Sequence, residues 1–328
     1  MTSPDFRQLP DLASRELTGS VMYANDELFA QRENLIAPGP ALHDLSAFGH
    51  KGKVYDGWET RRRREPGHDV AIVRLGVPGV IRGVVIDTAW FTGNFPPFAS
   101  VDAVCLEGYP GVADLLDAPW EPVVDKVALL GDTANAFAVD SERRWTHVRL
   151  NIFPDGGVAR FRVHGEVRPD PMFLTGTVDL AALENGGDIA DCSNRFYSSP
   201  RNIIAPGRAV NMGGGWENAR RRDDGNDYVV VRLAGTALID HVEIDTSYYV
   251  GNAPGWARLS GLPDGSDPAD ASAFVELLPK TALLPDCRHR FRVDSSMPLS
   301  FVRLDVYPDG GISRLRVHGR LVDQGLTP

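Results

Sequence analysis

The chain has 328 residues, about two domains' worth at ~150 residues per domain. Its apolar share of 43% and charged share of 24% are those of an ordinary folded protein and exclude wholesale disorder, collagen-like repeats and coiled coil. A formal net charge of −10 opposes binding to nucleic acid or an anionic membrane unless basic residues cluster.

The first 19 residues are polar and acidic, without the apolar core of a secretory signal, and no run approaches the ~18 apolar residues of a membrane span. A soluble, cytoplasmic protein is expected. Glycine (33) and proline (24) are abundant, which favours short elements joined by turns, and so β before α. Val70–Leu75, Val80–Asp87 and Val101–Leu106 are short apolar runs bounded by glycine, proline or aspartate, and predict strands. Short helices are admitted at 112–117 and 179–184. His147–Phe153 and Val158–His164 alternate; in the second run Phe161 and Val163 face one way and Arg160, Arg162 and His164 the other. Pro154-Asp-Gly-Gly157 between them predicts a hairpin.

Four blocks then recur in order. Asn34-Leu-Ile-Ala-Pro-Gly39 returns as Asn202-Ile-Ile-Ala-Pro-Gly207, and Gly57-Trp-Glu-Thr-Arg-Arg-Arg-Arg64 as Gly215-Trp-Glu-Asn-Ala-Arg-Arg-Arg222. Ile86-Asp-Thr-Ala-Trp-Phe-Thr-Gly-Asn94 returns as Ile244-Asp-Thr-Ser-Tyr-Tyr-Val-Gly-Asn252. Pro154-Asp-Gly-Gly-Val-Ala-Arg-Phe-Arg-Val-His-Gly165 returns as Pro308-Asp-Gly-Gly-Ile-Ser-Arg-Leu-Arg-Val-His-Gly319. The spacing drops from 168 to 158 after the first block, which places a ten-residue insertion within 43–54 of the first copy. A period this long marks a duplicated domain rather than a solenoid. The expected architecture is all-β: two tandem jelly-roll β-sandwiches at 10–168 and 176–325, joined by a linker at 169–175.

The blocks carry the candidate chemistry. Arg62, Arg63, Arg220 and Arg221 are either a solvated loop paired with nearby acids or a grip for a carboxylate, which an arginine fork binds bidentately. Arg160, Arg162 and His164, with Arg314, Arg316 and His318, are either an outer sheet face or a cationic floor for a small anion. Asp87, Asn94, Asp245 and Asn252 either close their own turns or orient a ligand, and Asp26 and Asn194 have equivalent places. Cys105, Cys192 and Cys287 share no metal-binding spacing and read as buried thiols. His43, Asp44 and His50 in the insertion have no specific ligand spacing. No nucleophile elbow, P-loop, dinucleotide fingerprint or zinc-protease motif is present.

Through these four paired blocks, from about Leu12 to Leu321, the sequence resembles the allantoicase family. The resemblance implies two jelly rolls similar to galactose-binding modules. The implied activity is hydrolysis of allantoate to ureidoglycolate and urea in purine catabolism. On that reading the arginines hold the carboxylate, and His164, His318, Glu59 or Glu217 serves as general acid and then base. No cofactor is expected, a divalent metal having no ligand motif to support it. The partner is a small anionic ureide, with no nucleic acid or membrane, and self-association into a homo-oligomer is compatible with the sequence. The rival expectation is a non-catalytic, carbohydrate-binding tandem jelly roll. Asp26 against Asn194, Arg61 against Ala219 and Trp90 against Tyr248 argue for one working or composite site rather than two equal ones.

Overall fold

The computed structural model describes residues 5–44, 46–293 and 295–322. The chain divides into two compact units, one ending at Arg168 and the other starting at Pro169. Each is a jelly-roll β-sandwich. Among the described residues no helix is long and apolar enough to cross a membrane.

Unit 1 is built from β1 (Ser20–Ala24), β2 (Asp69–Asp87), β3 (Phe98–Val104), β4 (Glu121–Ala128), β5 (Ala134–Ala138), β6 (Arg144–Phe153) and β7 (Arg160–Val167). β2 is one strand of 19 residues, which corrects the two separate runs expected at 70–75 and 80–87. Its first half pairs with β1 and β6, its second with β7 and β5, all antiparallel. The strand thus serves both layers, bending between Arg74 and Gly79, where its register with β6 shifts. Gly76 is required in this bend, because a Cβ there would stand 2.0 Å from the Leu17 carbonyl oxygen.

Unit 2 repeats the plan with β8 (Asp188–Cys192), β9 (Asp227–Asp245), β10 (Trp256–Pro263), β11 (Val275–Ala282), β12 (Arg288–Arg292), β13 (Leu299–Tyr307) and β14 (Arg314–Leu321). β9, again 19 residues, pairs first with β8 and β13 and then with β14 and β12. The inward residues are those that the alternation singled out: Val148, Leu150, Ile152, Phe161 and Val163, then Val302, Leu304 and Val306, are all buried.

Three further expectations change. Pro154–Gly157 does not close a hairpin: β6 and β7 lie against different halves of β2, and Gly157–Val158 pairs with Trp58–Glu59 instead. The chain crosses between layers here, at Gly156 (φ +142°) and at its counterpart Gly310 (φ +130°). A Cβ on either would stand 2.6 Å from Pro96 N or 2.5 Å from Pro254 N. The segment 179–184 is not a helix. Val178–Asp179 is extended on β14, because the Asp179 carboxylate accepts the Val317 N–H at 2.9 Å, and only a 3₁₀ turn, Leu183–Asn185, follows. The helix expected at 112–117 is present as Val112–Leu116. The three cysteines are free and partly exposed rather than buried.

Candidate active site

The Gly-Trp-Glu segment is extended, so Trp58 and Glu59 point to opposite sides. Trp58 is fully buried and its indole donates to the Asp26 carbonyl at 2.7 Å. That anchor turns Glu59 outward into a cleft of about 620 Å³, whose walls include Arg61, Arg62, Arg64, Asn94 and Phe29. The arginine run is tied down from behind: Asp155, in the crossover turn, accepts the Arg63 N–H at 2.8 Å, and Thr60 N donates to the Gly156 carbonyl at 3.1 Å.

The Asn94 amide donates to the Glu59 carboxylate at 2.7 Å. Burial pushes the Glu59 carboxyl above its ordinary range, and the Asn94 hydrogen bond opposes that in part. Arg62 and Arg64 are exposed, and among the described residues no hydrogen bond or ion pair engages either side chain. Arg61 is ion-paired with Asp26. Arg63 differs from its neighbours. It turns away from the cleft and binds buried Asp69 at 2.6 Å, so it holds the fold rather than a ligand.

The structure thus brings Glu59, Arg62 and Asn94 together and leaves the other candidates of this unit elsewhere. Arg160 is buried beneath the segment 39–56, donating to the Gly39, Pro40, Asp56 and Ala159 carbonyls and to the Asp56 carboxylate at 2.7 Å. Arg162 donates to the Gly39 carbonyl at 2.6 Å and pairs with Asp11 at 3.4 Å. His164 is hydrogen-bonded to the Leu9 carbonyl at 2.9 Å. The cationic strand is therefore a clasp for the loops folded over it and not an open floor for an anion. Its charges are already neutralised or hydrogen-bonded. Asp87 accepts the Ala89 N–H at 2.9 Å, which is turn chemistry.

Unit 2 repeats most of this. Trp216 donates to the Asn194 carbonyl at 2.8 Å, Asn252 to Glu217 at 2.7 Å, and Asp309 accepts the Arg221 N–H at 2.7 Å. Arg221 pairs with Asp227 and Asp223, while Arg220 is exposed. Arg314 donates to the carbonyls of Gly207, Asn202, Gly214 and Ser313, and Arg316 to those of Ala205 and Gly207. Asp245 accepts the Ser247 N–H. His318 stacks on His241 with ring centroids 4.4 Å apart, and burial holds it below the ordinary histidine range. It lines a hollow that does not include Glu217.

Sequence reasoning missed Asp155 and Phe29. Asp155 looked like a turn residue, and its tie to Arg63 spans 92 positions. Phe29 faces Glu59 only because Ala30 and Glu59 bridge, and no local signal announces that. In the insertion, His43 lies stacked against Trp90 and Tyr55, and Asp44 accepts the Ser46 N–H and hydroxyl. Among the described residues, no group of three histidine, cysteine, aspartate or glutamate side chains is placed to hold a metal ion.

A family model described as the allantoicase repeat matches residues 10–168 and again 178–322. The probable allantoicase of Nocardia farcinica is 56% identical over 321 residues, covering 96% of this chain and 95% of that protein. The allantoicase of Dictyostelium discoideum is 40% identical over 95% of this chain and 87% of its own length. The crystal structure of allantoicase from Saccharomyces cerevisiae superposes with a TM-score of 0.82 at 34% identity, over 95% of this chain and 93% of that one. With both repeats matched and relatives this similar along nearly its whole length, the chain belongs to the allantoicase family.

Proposed function

We propose that the chain hydrolyses allantoate to ureidoglycolate and urea, a step of purine breakdown, and that the Glu59 cleft of unit 1 carries the reaction. Membership of the allantoicase family supports the reaction. One observation carries the choice of site. A partly buried carboxyl with a raised pKa shares a cleft with two unpaired arginines, Arg62 and Arg64. Unit 2 keeps the glutamate, the asparagine and both arginines, as Glu217, Asn252, Arg220 and Arg222, and differs at Ala219, which stands in place of the Asp26-paired Arg61.

Allantoate is a carboxylate whose central carbon bears two ureido nitrogens. Arg62 and Arg64 hold the carboxylate through charge-assisted hydrogen bonds. Glu59, whose pKa burial raises, gives its proton to one ureido nitrogen. The bond from that nitrogen to the central carbon breaks, with the electron pair leaving on nitrogen, and urea departs. The remaining ureido nitrogen supplies electrons to the carbon until water adds. Glu59, now a carboxylate, takes the proton released by that water, and ureidoglycolate forms with the catalyst restored. Asn94 fixes the carboxyl in place. No step of this route uses a metal, so dialysis against a chelator is expected to leave the rate unchanged.

Urea release from allantoate by the purified chain is the deciding assay. Release that is lost in Glu59→Gln and kept in Glu217→Gln supports both the reaction and the site. No release from the parent chain, together with a sugar-dependent rise in melting temperature, replaces the enzyme with a carbohydrate-binding module.

A further inference from the structure

We propose that unit 2 has a second ligand site, for a small ureido acid, at Arg208, Asp245, Tyr248 and Asp286. The choice of ligand class rests on the function proposed above; the site itself rests on a difference between the two repeats.

A pocket of about 230 Å³ opens between Arg208, Asp245, Ser247, Tyr248 and Asp286. Tyr248 has a left-handed backbone (φ +71°), and the Asp286 carboxylate accepts its N–H at 2.8 Å. That turn presents the tyrosine ring 44% exposed at the rim. Asp245, 4% exposed, accepts both the N–H and the hydroxyl of Ser247 on the same oxygen, Oδ1. Among the described residues no hydrogen bond reaches the second oxygen of Asp245 or Asp286, and exposed Arg208 has neither a hydrogen bond nor an ion pair.

Unit 1 has the same turn without these groups. Trp90 adopts the same φ of +71°, and Asp132 accepts its N–H at 2.8 Å, so the scaffold is shared. The groups that would meet a ligand are not. Pro40 occupies the place of Arg208, and Ala89 the place of Ser247. The Trp90 indole is turned onto the Ala41 carbonyl at 3.1 Å, and His43, from the insertion, stacks on its ring at 4.9 Å. The turn therefore folds without an arginine or a serine at these places, and with its ring held by other side chains. Unit 2 supplies both polar groups and leaves the ring free of such partners.

Their chemistry selects the ligand. One arginine forks a carboxylate. Two carboxylates with free oxygens accept N–H donors and repel a polyanion such as phosphate. A planar group lies against the tyrosine ring. A ureido acid offers one carboxylate, several N–H donors and a flat amide. It is also the class to which both substrate and product of the proposed reaction belong, so the pocket can retain either.

The probe is N-carbamoylglycine, which has one carboxylate and one ureido group, titrated calorimetrically into the full chain. The parent is expected to bind one more equivalent than Arg208→Ala or Tyr248→Ala. Both variants should keep the parent's melting temperature and its urea release at saturating allantoate. Equal equivalents in the parent and the variants, or no binding by the parent, overturns the site. Urea release by the parent is scored separately: its loss removes the proposed reaction and leaves the result of the titration standing.

Discussion

The amide of Asn94 donates to Glu59 across 2.7 Å, and the amide of Asn252 donates to Glu217 across the same distance. In unit 1 this bond works against burial, which raises the Glu59 carboxyl while the amide stabilises its ionised form. Glu59→Gln keeps the shape and removes the proton. It is expected to lower kcat by about 10²–10⁴-fold, the usual range for a lost general acid–base. Retention of the parent kcat would take Glu59 out of the chemistry.

Asn94→Ala gives a finer test. Without the amide, the Glu59 carboxyl should titrate at still higher pH. An acid that must be protonated to work is lost as pH rises through its pKa, so the alkaline limb of kcat should move upward in Asn94→Ala. A limb that stays fixed, or moves down, would mean that another group titrates there.

Arg62 and Arg63 are neighbours with opposite expected phenotypes. Arg62 is unpaired at the cleft, and a charge-assisted hydrogen bond to substrate contributes about 1.5–3 kcal/mol, or about 10–100-fold in affinity. Arg62→Ala should raise KM by that factor at an unchanged melting temperature. Arg63→Ala instead removes the ion-pair partner of the Asp69 carboxylate, whose side chain is 2% exposed, and should cost about 3 kcal/mol of stability. Paired measurements of KM and thermal unfolding separate the two residues.

The duplication, the strands and their inward faces were legible because they rest on local signals: exact block repeats, β-branched alternation and turn residues. The long strand β2 was not, since the glycines and proline from Gly76 to Gly79 look like a break. In the fold they mark a bend that carries one strand into both layers. The Asp-Gly signal at 155–156 misled for a related reason. A turn sequence does not say which strand lies beside it, and here the neighbour is Trp58–Glu59. Likewise the alternation of Arg160, Arg162 and His164 was correct, but the segments covering them come from Leu9, Asp11, Gly39 and Asp56, more than 100 residues away. Of the candidate site, Glu59, Arg62 and Asn94 were visible as residue types within repeated blocks. Their meeting in one cleft is a tertiary fact.

Arg160 and Arg314 then become stability residues. Each fastens a distant loop through several carbonyls, and each is nearly buried, at 3% and 7% exposure. Arg160→Ala frees the acceptors at Gly39, Pro40 and Asp56 and removes the ion-pair partner of the Asp56 carboxylate. A loss of about 3 kcal/mol is expected, with urea release per folded molecule unchanged. A specific rise in KM without destabilisation would restore the arginine strand to the substrate site.

His147 gives the fold an acid limit that unit 2 lacks at the matching place, where the residue is Phe301. The ring is 1% exposed, its Nδ1 meets the Thr146 hydroxyl at 2.9 Å, and burial lowers its pKa to about 4, with Arg74 adding to the effect. The unfolded chain takes up this proton near pH 6.5, and the folded chain only near pH 4. The stabilisation held by the neutral ring is therefore complete above about pH 6.5 and disappears as pH falls towards 4, a change of about 3 kcal/mol. His147→Phe removes the proton without opening a large cavity. Its denaturant midpoint should fall less between pH 7 and 4 than the parent's. If the two chains lose stability in parallel over that interval, the acid limit lies in other groups.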